Sequence, residues 1–150
     1  MRRVASYLQL AHRRRVGTAY LDVRVSNPAD RRRGFEQRLI VDSGALYTIV
    51  PAPLLREIGI EPDRVQRFEL ADGRVVKREV GGAFCELGEL RAPAPVIFGK
   101  RGDAPLLGVV TLEVLGLTID PIRRKVRWMR PMLLSLRGGG MRCATDCTGK

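Results

Sequence analysis

The sequence predicts a small, mostly β domain with one or two short helices, and three observations carry this prediction. The chain has 150 residues, enough for one domain with a hydrophobic core and too few for two large ones. Roughly seven short segments have the alternation or the apolar runs that are typical of strands. Turn-forming Gly, Pro, Asn and Asp residues separate these segments at short intervals, which is the pattern of a compact β domain.

The first three strands and the first helix follow from the residues up to position 59. Residues 19–25 alternate apolar and polar side chains, and residues 35–41 end in the apolar run Leu-Ile-Val, so each predicts a strand. The turn residues and the three arginines at 27–33 form the loop between them. Residues 48–50 predict a third strand. Two prolines then open a short helix at 54–58, which the next glycine ends.

A hairpin is predicted at Asp72-Gly73. Strand-like runs at 68–70 and 75–80 flank this dipeptide, and Asp-Gly between two such runs is the strongest short-range hairpin signal. We therefore predict a type I′ turn, in which both central residues have positive φ.

The second half of the chain continues with short strands and one more helix. Residues 83–87 and 95–98 predict two strands, with turns at 88–89 and 91–93 between them. The remaining predicted elements are a helix at 109–115, closed by a glycine, and two late strands at 117–121 and 125–128.

The positive charge of the chain is concentrated at its two ends. The net charge is +11. Residues 1–34 contain nine Arg and two Asp, residues 121–150 contain eight Lys or Arg and one Asp, and residues 35–120 contain 10 basic and 13 acidic groups. Basic ends can bind nucleic acid or an anionic membrane surface. The distribution favours solvated ends on a mildly acidic domain, so nucleic acid is the less favoured partner.

The organisation we expect is a basic N-terminal extension at 1–16, a folded domain at 17–130 and a flexible basic tail at 131–150. No segment has the length and apolarity of a transmembrane helix, and the N-terminus is too polar for a secretory signal. Three cysteines, two of them in the tail, do not make a disulfide framework, which favours a cytoplasmic location. Cys143 and Cys147 have no partner ligands apart from the distant Cys85 and His12, so we do not expect a zinc site there.

Asp42 is the residue whose surroundings point most clearly to chemistry. It follows the apolar residues 39–41, and a carboxylate held at the end of a buried strand has a perturbed pKa and needs a partner or a catalytic task. Ser43 can hydrogen-bond within the turn, and Gly44 permits a close backbone approach. Ala45 keeps the floor of the site small. Asp-Ser-Gly is also a common turn sequence, so its context has to decide.

That context resembles the retroviral-type, or retropepsin-like, aspartic proteases, and especially their small bacterial and archaeal relatives. Residues 39–45 match the family signature of two apolar residues, Asp, Thr or Ser, Gly and Ala. Asp72-Gly73 stands where the family has its flap hairpin. Residues 106–108 resemble the second apolar-apolar-Gly element, and residues 112–120 resemble the helix and strand that follow it. The resemblance covers residues 17–128 and implies a single-domain closed β-barrel that is active as a homodimer.

The resemblance also implies roles for individual residues. Asp42 would be the catalytic carboxylate, Ser43 the hydroxyl that reaches the other subunit's loop, and Gly44 the close-approach glycine. The residues expected to contact substrate are Ala45, Ala71, Asp72, Gly73 and Arg74. One departure concerns the subunit contact: viral enzymes follow the second glycine with Arg, whereas Val109 follows it here.

The implied activity is endopeptidase hydrolysis by a water held between two Asp42 side chains, one from each subunit, with a peptide as substrate and no cofactor. Two alternatives stay open. The chain could be a non-catalytic peptide-binding or dimerisation module with the same fold. It could also bind nucleic acid through its basic ends.

Overall fold

Nine strands and two short helices make up the structure, a computed structural model that describes residues 19–120, 122–123 and 125–130. The strands are β1 (Tyr20–Ser26), β2 (Gly34–Val41), β3 (Thr48–Pro51), β4 (Arg64–Glu69), β5 (Val75–Leu87), β6 (Leu90–Gly99), β7 (Leu106–Leu107), β8 (Leu117–Asp120) and β9 (Lys125–Trp128). The helices are α1 (Ala52–Glu57) and α2 (Val109–Val114). The expected N-terminal extension and C-terminal tail lie outside the described residues.

Seven strands form one sheet in the order β1-β2-β7-β3-β6-β5-β4, and β8 pairs with β9 in a second, two-stranded sheet. β1 pairs with β2 along its whole length and also with β5, from Arg24 opposite Glu86 to Ser26 opposite Phe84. The prediction of a mostly β fold with short helices is confirmed.

The core is formed by alternate residues of the long strands together with one face of each helix. In β1 the side chains of Leu21, Val23 and Val25 are buried while Asp22 and Arg24 between them are more exposed, as expected for a strand with one face on the core. Leu55 and Leu112 anchor the two helices to the same cluster. Pro53 lies in the first turn of α1, where its missing N–H removes no hydrogen bond of the helix, and Gly59 follows the helix with a φ of 79°.

Two strands are longer than the sequence pattern predicted. β4 begins at Arg64, four residues before the predicted start, because it belongs to a hairpin that is exposed on much of its surface and so lacks a clear apolar alternation. β5 runs without interruption through Gly81 and Gly82, where we predicted a break. A Cβ at Gly81 would lie 2.9 Å from the carbonyl oxygen of Glu61, so this glycine permits close packing within a continuous strand.

The turn predicted at 91–93 is instead part of β6, and the prediction was wrong. Residues 90–95 of β6 pair with β5 on one side, while β3 pairs only with residues from Val96 onward. The other side of this stretch therefore has no strand partner among the described residues. Proline is tolerated at such an edge because its missing N–H leaves no ladder bond unmade, which accounts for Pro93 and Pro95 within a strand.

The hairpin between β4 and β5 is confirmed, but its turn differs from the predicted type I′. The amide of Gly73 donates to the carbonyl of Leu70 at 2.8 Å, and the amide of Leu70 donates to the carbonyl of Arg74 at 2.8 Å. These bonds make Ala71 and Asp72 the central pair of the turn. Gly73 follows them with a φ of 81°, as in the three-residue hairpin loop that ends in a glycine bulge.

Candidate active site

Asp42 is the first residue after β2, and its position is fixed by the strands on either side of it. β2 runs parallel to β7, with Ile40 opposite Leu106 and Val41 opposite Leu107. The amide of Asp42 continues this ladder by donating to the carbonyl of Leu107 at 3.2 Å. The carboxylate therefore stands where a parallel pair of strands ends and the chain turns away.

The loop from Asp42 to Ala45 is closed by hydrogen bonds to both ends of Asp42. Its side-chain oxygen Oδ1 accepts from the amide of Gly44 at 2.8 Å, and its carbonyl accepts from the amide of Ala45 at 3.4 Å. A Cβ at Gly44 would lie 3.3 Å from the same Oδ1, so the glycine keeps the carboxylate uncrowded. The hydrogen bond from the Gly44 amide fixes the orientation of the Asp42 side chain.

The exposure of Asp42 differs from the prediction. The side chain is half-buried in the single chain, because β2 ends with the partly exposed residues Ile40 and Val41 and the loop opens toward a cleft. Ser43 is exposed, and its hydroxyl has no hydrogen bond to any other described residue. The hydrogen bond within the turn that we expected from Ser43 is instead made by the carboxylate of Asp42, which accepts from the Gly44 amide.

Residues 108–110 of the same chain pack tightly across this loop. The amides of Val109 and Val110 donate to the carbonyls of Ala45 and Leu46 at 2.9 and 3.1 Å. Gly108 lies so close that a Cβ would meet the carbonyl carbon of Tyr47 at 2.5 Å. Only glycine fits at this position without displacing the backbone.

Beside this crossing, Thr48 and Thr111 form a buried polar pair that the sequence analysis missed. The Thr48 hydroxyl accepts from the amide of Gly108 at 3.1 Å, and the two hydroxyl oxygens are 2.6 Å apart. Both residues are fully buried. Their one sequence signal is a lone threonine within an otherwise apolar segment, and buried hydroxyls need such partners.

Asp42 lies in a cleft of about 400 Å³ between the loop after β2 and the β4–β5 hairpin. The cleft is mostly apolar, with a small number of charged groups. Its lining residues are Asp42, Gly44, Ala45, Leu46, Tyr47, Ile49, Phe68, Glu69, Leu70, Ala71, Val76, Arg78, Ile97 and Asp103. Mostly apolar clefts with a few polar groups are typical of binding sites for small molecules and peptides.

The cleft contains some of the residues that the sequence singled out. Asp42, Gly44, Ala45 and Ala71 line it together. The hairpin tip residues Asp72 and Arg74 instead pair with each other at 2.7 Å and are exposed. Gly73, between them, has no other residue within 4 Å of its ideal Cβ position.

Ser43 lines a second, smaller cavity of about 220 Å³, with residues of α2 and β8. Ser43 is absent from the lining of the larger cleft, so consecutive residues of the loop that carries Asp42 line two different cavities.

Further observations concern the described part of the chain. None of its helices is long and apolar enough to cross a membrane. Within these same residues no three His, Cys, Asp or Glu side chains are grouped as a metal site would require. Cys85 is buried, and desolvation raises the pKa of its thiol to about 12, so it is not a nucleophile at neutral pH. Cys143 and Cys147 lie outside the described residues.

The chain matches a known protein family. A family model described as aspartyl protease matches residues 31–111, which include the loop after β2, the β4–β5 hairpin and the glycine that crosses the loop. Searches of curated proteins and of solved structures give no significant match.

Proposed function

Because this chain belongs to the retropepsin-like family of aspartyl proteases, we propose that it is an endopeptidase whose catalytic carboxylate is Asp42. The observation that carries the proposal is the placement of this carboxylate. It is half-buried, held by the Gly44 amide at 2.8 Å, and directed to a cleft large enough for part of a peptide. Strands β2 and β7 and the crossing at Gly108 hold the backbone around it.

One carboxylate is insufficient for the reaction, since a water must be deprotonated while the scissile carbonyl is protonated. Two other carboxylates line the cleft. Asp103 already binds the Arg78 guanidinium and the Lys100 amide, and Glu69 belongs to the hairpin strand β4. By analogy with the family, and because the sequence contains a single Asp-Ser-Gly, we propose that the second carboxylate is Asp42 of another copy and that the active protein is a homodimer.

In this dimer the two Asp42 side chains share one proton, as the two carboxyl groups of aspartic proteases in general do. The ionised carboxylate takes a proton from the bound water, whose oxygen bonds to the carbonyl carbon of the peptide. The protonated carboxyl gives its proton to the carbonyl oxygen, which forms a neutral tetrahedral diol. The diol then collapses: the C–N bond breaks, the nitrogen takes a proton from one carboxyl, and the other carboxylate takes one from a diol hydroxyl.

Exposed groups around the site support a subunit contact there. Leu46, in the loop after Asp42, is 58% exposed, and Leu70, at the end of the hairpin, is 37% exposed. We propose that the Ser43 hydroxyl, which is exposed and has no hydrogen-bond partner among the described residues, braces the other subunit's loop. We further propose that the β4–β5 hairpin covers the bound peptide as a flap. The pairing of β1 with both β2 and β5 supports a closed barrel.

The test compares Asp42→Asn with Asp22→Asn, which alters an exposed aspartate on β1. We expect the first variant to lose turnover of a mixed peptide library while sedimenting as the wild type does, and the second to keep both properties. Hydrolysis by Asp42→Asn would refute the assignment. A folded wild-type dimer that binds peptides without cleaving them would support the alternative of a non-catalytic module.

A further inference from the structure

Arg78 and Asp103 form the most completely bonded ion pair in the cleft wall. The guanidinium Nε donates to Oδ2 at 2.8 Å and a terminal nitrogen donates to Oδ1 at 2.9 Å, which is the two-pronged geometry of a strong Arg–carboxylate pair. The side chains are 17% and 21% exposed. Such partial burial protects the pair from the screening that weakens surface ion pairs.

The Asp103 end of the pair is fixed by its own loop, between β6 and β7. The amide of Lys100 donates to Oδ2 of Asp103 at 2.8 Å, and the amide of Asp103 donates to the carbonyl of Lys100 at 2.9 Å. Gly102 takes a φ of 95° within this turn. The loop leads directly into β7, which also holds the backbone of Asp42.

The Arg78 end belongs to the part of β5 that projects beyond the rest of the sheet. β6 pairs with β5 only from Val80 onward, so within the described part of the chain residues 75–79 pair with β4 alone. The hairpin therefore needs side-chain contacts to keep its angle to the body of the domain. On the cleft side, the described residues provide the Arg78–Asp103 pair and the edge-to-face contact of Phe68 with Tyr47, whose ring centroids are 6.2 Å apart.

We propose that the Arg78–Asp103 pair is a positioning device that sets the width of the cleft by tying the β4–β5 hairpin to the loop before β7. This role rests on the proposed function, because the cleft is taken to hold the peptide. All three nitrogens of the Arg78 guanidinium donate within the protein, one of them to the carbonyl of Lys77. The Arg78 guanidinium therefore makes its hydrogen bonds within the protein, and the pair affects the binding of substrate through the position of the hairpin.

A neighbouring ion pair provides a matched control. Glu79, the next residue of β5, points to the other face and binds Arg56 of α1 at 2.6 Å. The side chains of Glu79 and Arg56 are 38% and 44% exposed, and neither residue lines the cleft. Removing this pair changes the same strand at the adjacent position without changing the cleft wall.

The experiment compares Asp103→Asn, Arg78→Lys and Glu79→Gln in the full-length protein. With a peptide that fills the cleft, we expect Asp103→Asn to raise KM roughly tenfold while kcat stays within about twofold, since uniform binding is lost. Arg78→Lys keeps the positive charge but loses the two-pronged hydrogen bonding of the guanidinium. Its KM should therefore lie between that of the wild type and that of Asp103→Asn. Glu79→Gln should leave KM unchanged. Equal KM changes in Asp103→Asn and Glu79→Gln would overturn the proposal, and so would an unchanged KM in Asp103→Asn.

Amide hydrogen exchange gives a second readout that does not require turnover. We expect faster deuterium uptake in residues 64–79 of Asp103→Asn than of Glu79→Gln, with unchanged uptake in β1. If the wild type cleaves no peptide, the proposed function fails while this comparison still decides whether the pair holds the hairpin. Uptake in the hairpin of Asp103→Asn equal to that of the wild type would show that it does not.

Discussion

The hydroxyl oxygens of Thr48 and Thr111 lie 2.6 Å apart in the interior of the protein, next to the loop that carries Asp42. Thr48 is also the acceptor for the amide of Gly108, the glycine that crosses the loop. The pair therefore links β3, α2 and the crossing segment through side-chain oxygens. A substitution here tests whether the scaffold of the site depends on buried hydrogen bonds as well as on apolar packing.

Thr48→Val should destabilise the protein more than Thr111→Val does. The first variant leaves the buried Gly108 amide without its acceptor, at a cost of about 1–3 kcal/mol in the free energy of unfolding. The second leaves that bond intact and removes only the hydroxyl–hydroxyl contact. Urea denaturation of both variants measures the difference, and equal destabilisation would contradict the proposed role of the Gly108 bond.

Gly108→Ala should disrupt both folding and activity. The new Cβ would lie 2.5–2.6 Å from the carbonyl group of Tyr47, which is backbone and cannot move without shifting the loop after Asp42. Overpacking of this kind costs about 1–3 kcal/mol. Gly82→Ala is the control, because a Cβ there has no other residue within 4 Å. We expect Gly108→Ala to unfold at a lower temperature and to hydrolyse peptides more slowly than Gly82→Ala.

Gly73→Val should reduce kcat/KM more than it reduces stability. Gly73 has a φ of 81°, which a β-branched residue adopts only under strain, and the space around it is open. The strain therefore reshapes the hairpin tip and leaves the core untouched. Gly73→Asn is the milder comparison, since Asn tolerates positive φ better than other residues. Unchanged kcat/KM in the Val variant would remove the hairpin tip from the site.

The sequence was sufficient to predict the turn that carries Asp42 after a strand, because the signal there is local. Three apolar residues followed by Asp42, Ser43 and Gly44 are contiguous, and the glycine of the crossing segment follows its own apolar pair. Turn residues were equally informative at Gly59, whose positive φ ends α1 as predicted. Such features depend on a few neighbouring residues, so single-sequence reasoning finds them.

Contacts between distant segments were not predictable in this way. Arg78 and Asp103 are 25 residues apart, and Thr48 and Thr111 are 63 apart. The residues next to each of these side chains in the sequence do not indicate which distant residue it contacts. The type of the β4–β5 turn was predicted wrongly for a different, local reason: Asp-Gly also fits the three-residue loop, and Asp72 favours that loop by accepting a hydrogen bond from the Arg74 amide at 3.0 Å.

The Arg78–Asp103 pair should make stability depend on pH in the acid range. Hydrogen bonding from Arg78 is the main cause that holds the pKa of Asp103 below its ordinary value of about 3.9. A carboxyl with a lowered folded-state pKa contributes stability above its unfolded pKa and loses it as pH falls through the folded value. The stability difference between wild type and Asp103→Asn should thus be constant from about pH 7 to 5 and shrink below about pH 4. Urea denaturation across this range measures it, and a difference that grows on acidification would contradict the pair's contribution.

Mixing wild type with Asp42→Asn tests whether the site is shared between two chains. If each active site contains one Asp42 from each copy, a heterodimer has a single carboxylate and is inactive. At equal concentrations and random exchange, about half of the dimers are mixed and a quarter are wild type, so activity per wild-type chain should fall by about half. Excess variant should suppress activity further, whereas Asp22→Asn in the same excess should have no such effect.

Specific activity should also fall on dilution, in step with the dissociation of the dimer that sedimentation measures, because the fraction of dimer depends on protein concentration. A wild-type protein that keeps its full specific activity when sedimenting as a monomer would refute the shared site. So would a mixture whose activity simply equals that of its wild-type fraction after complete subunit exchange.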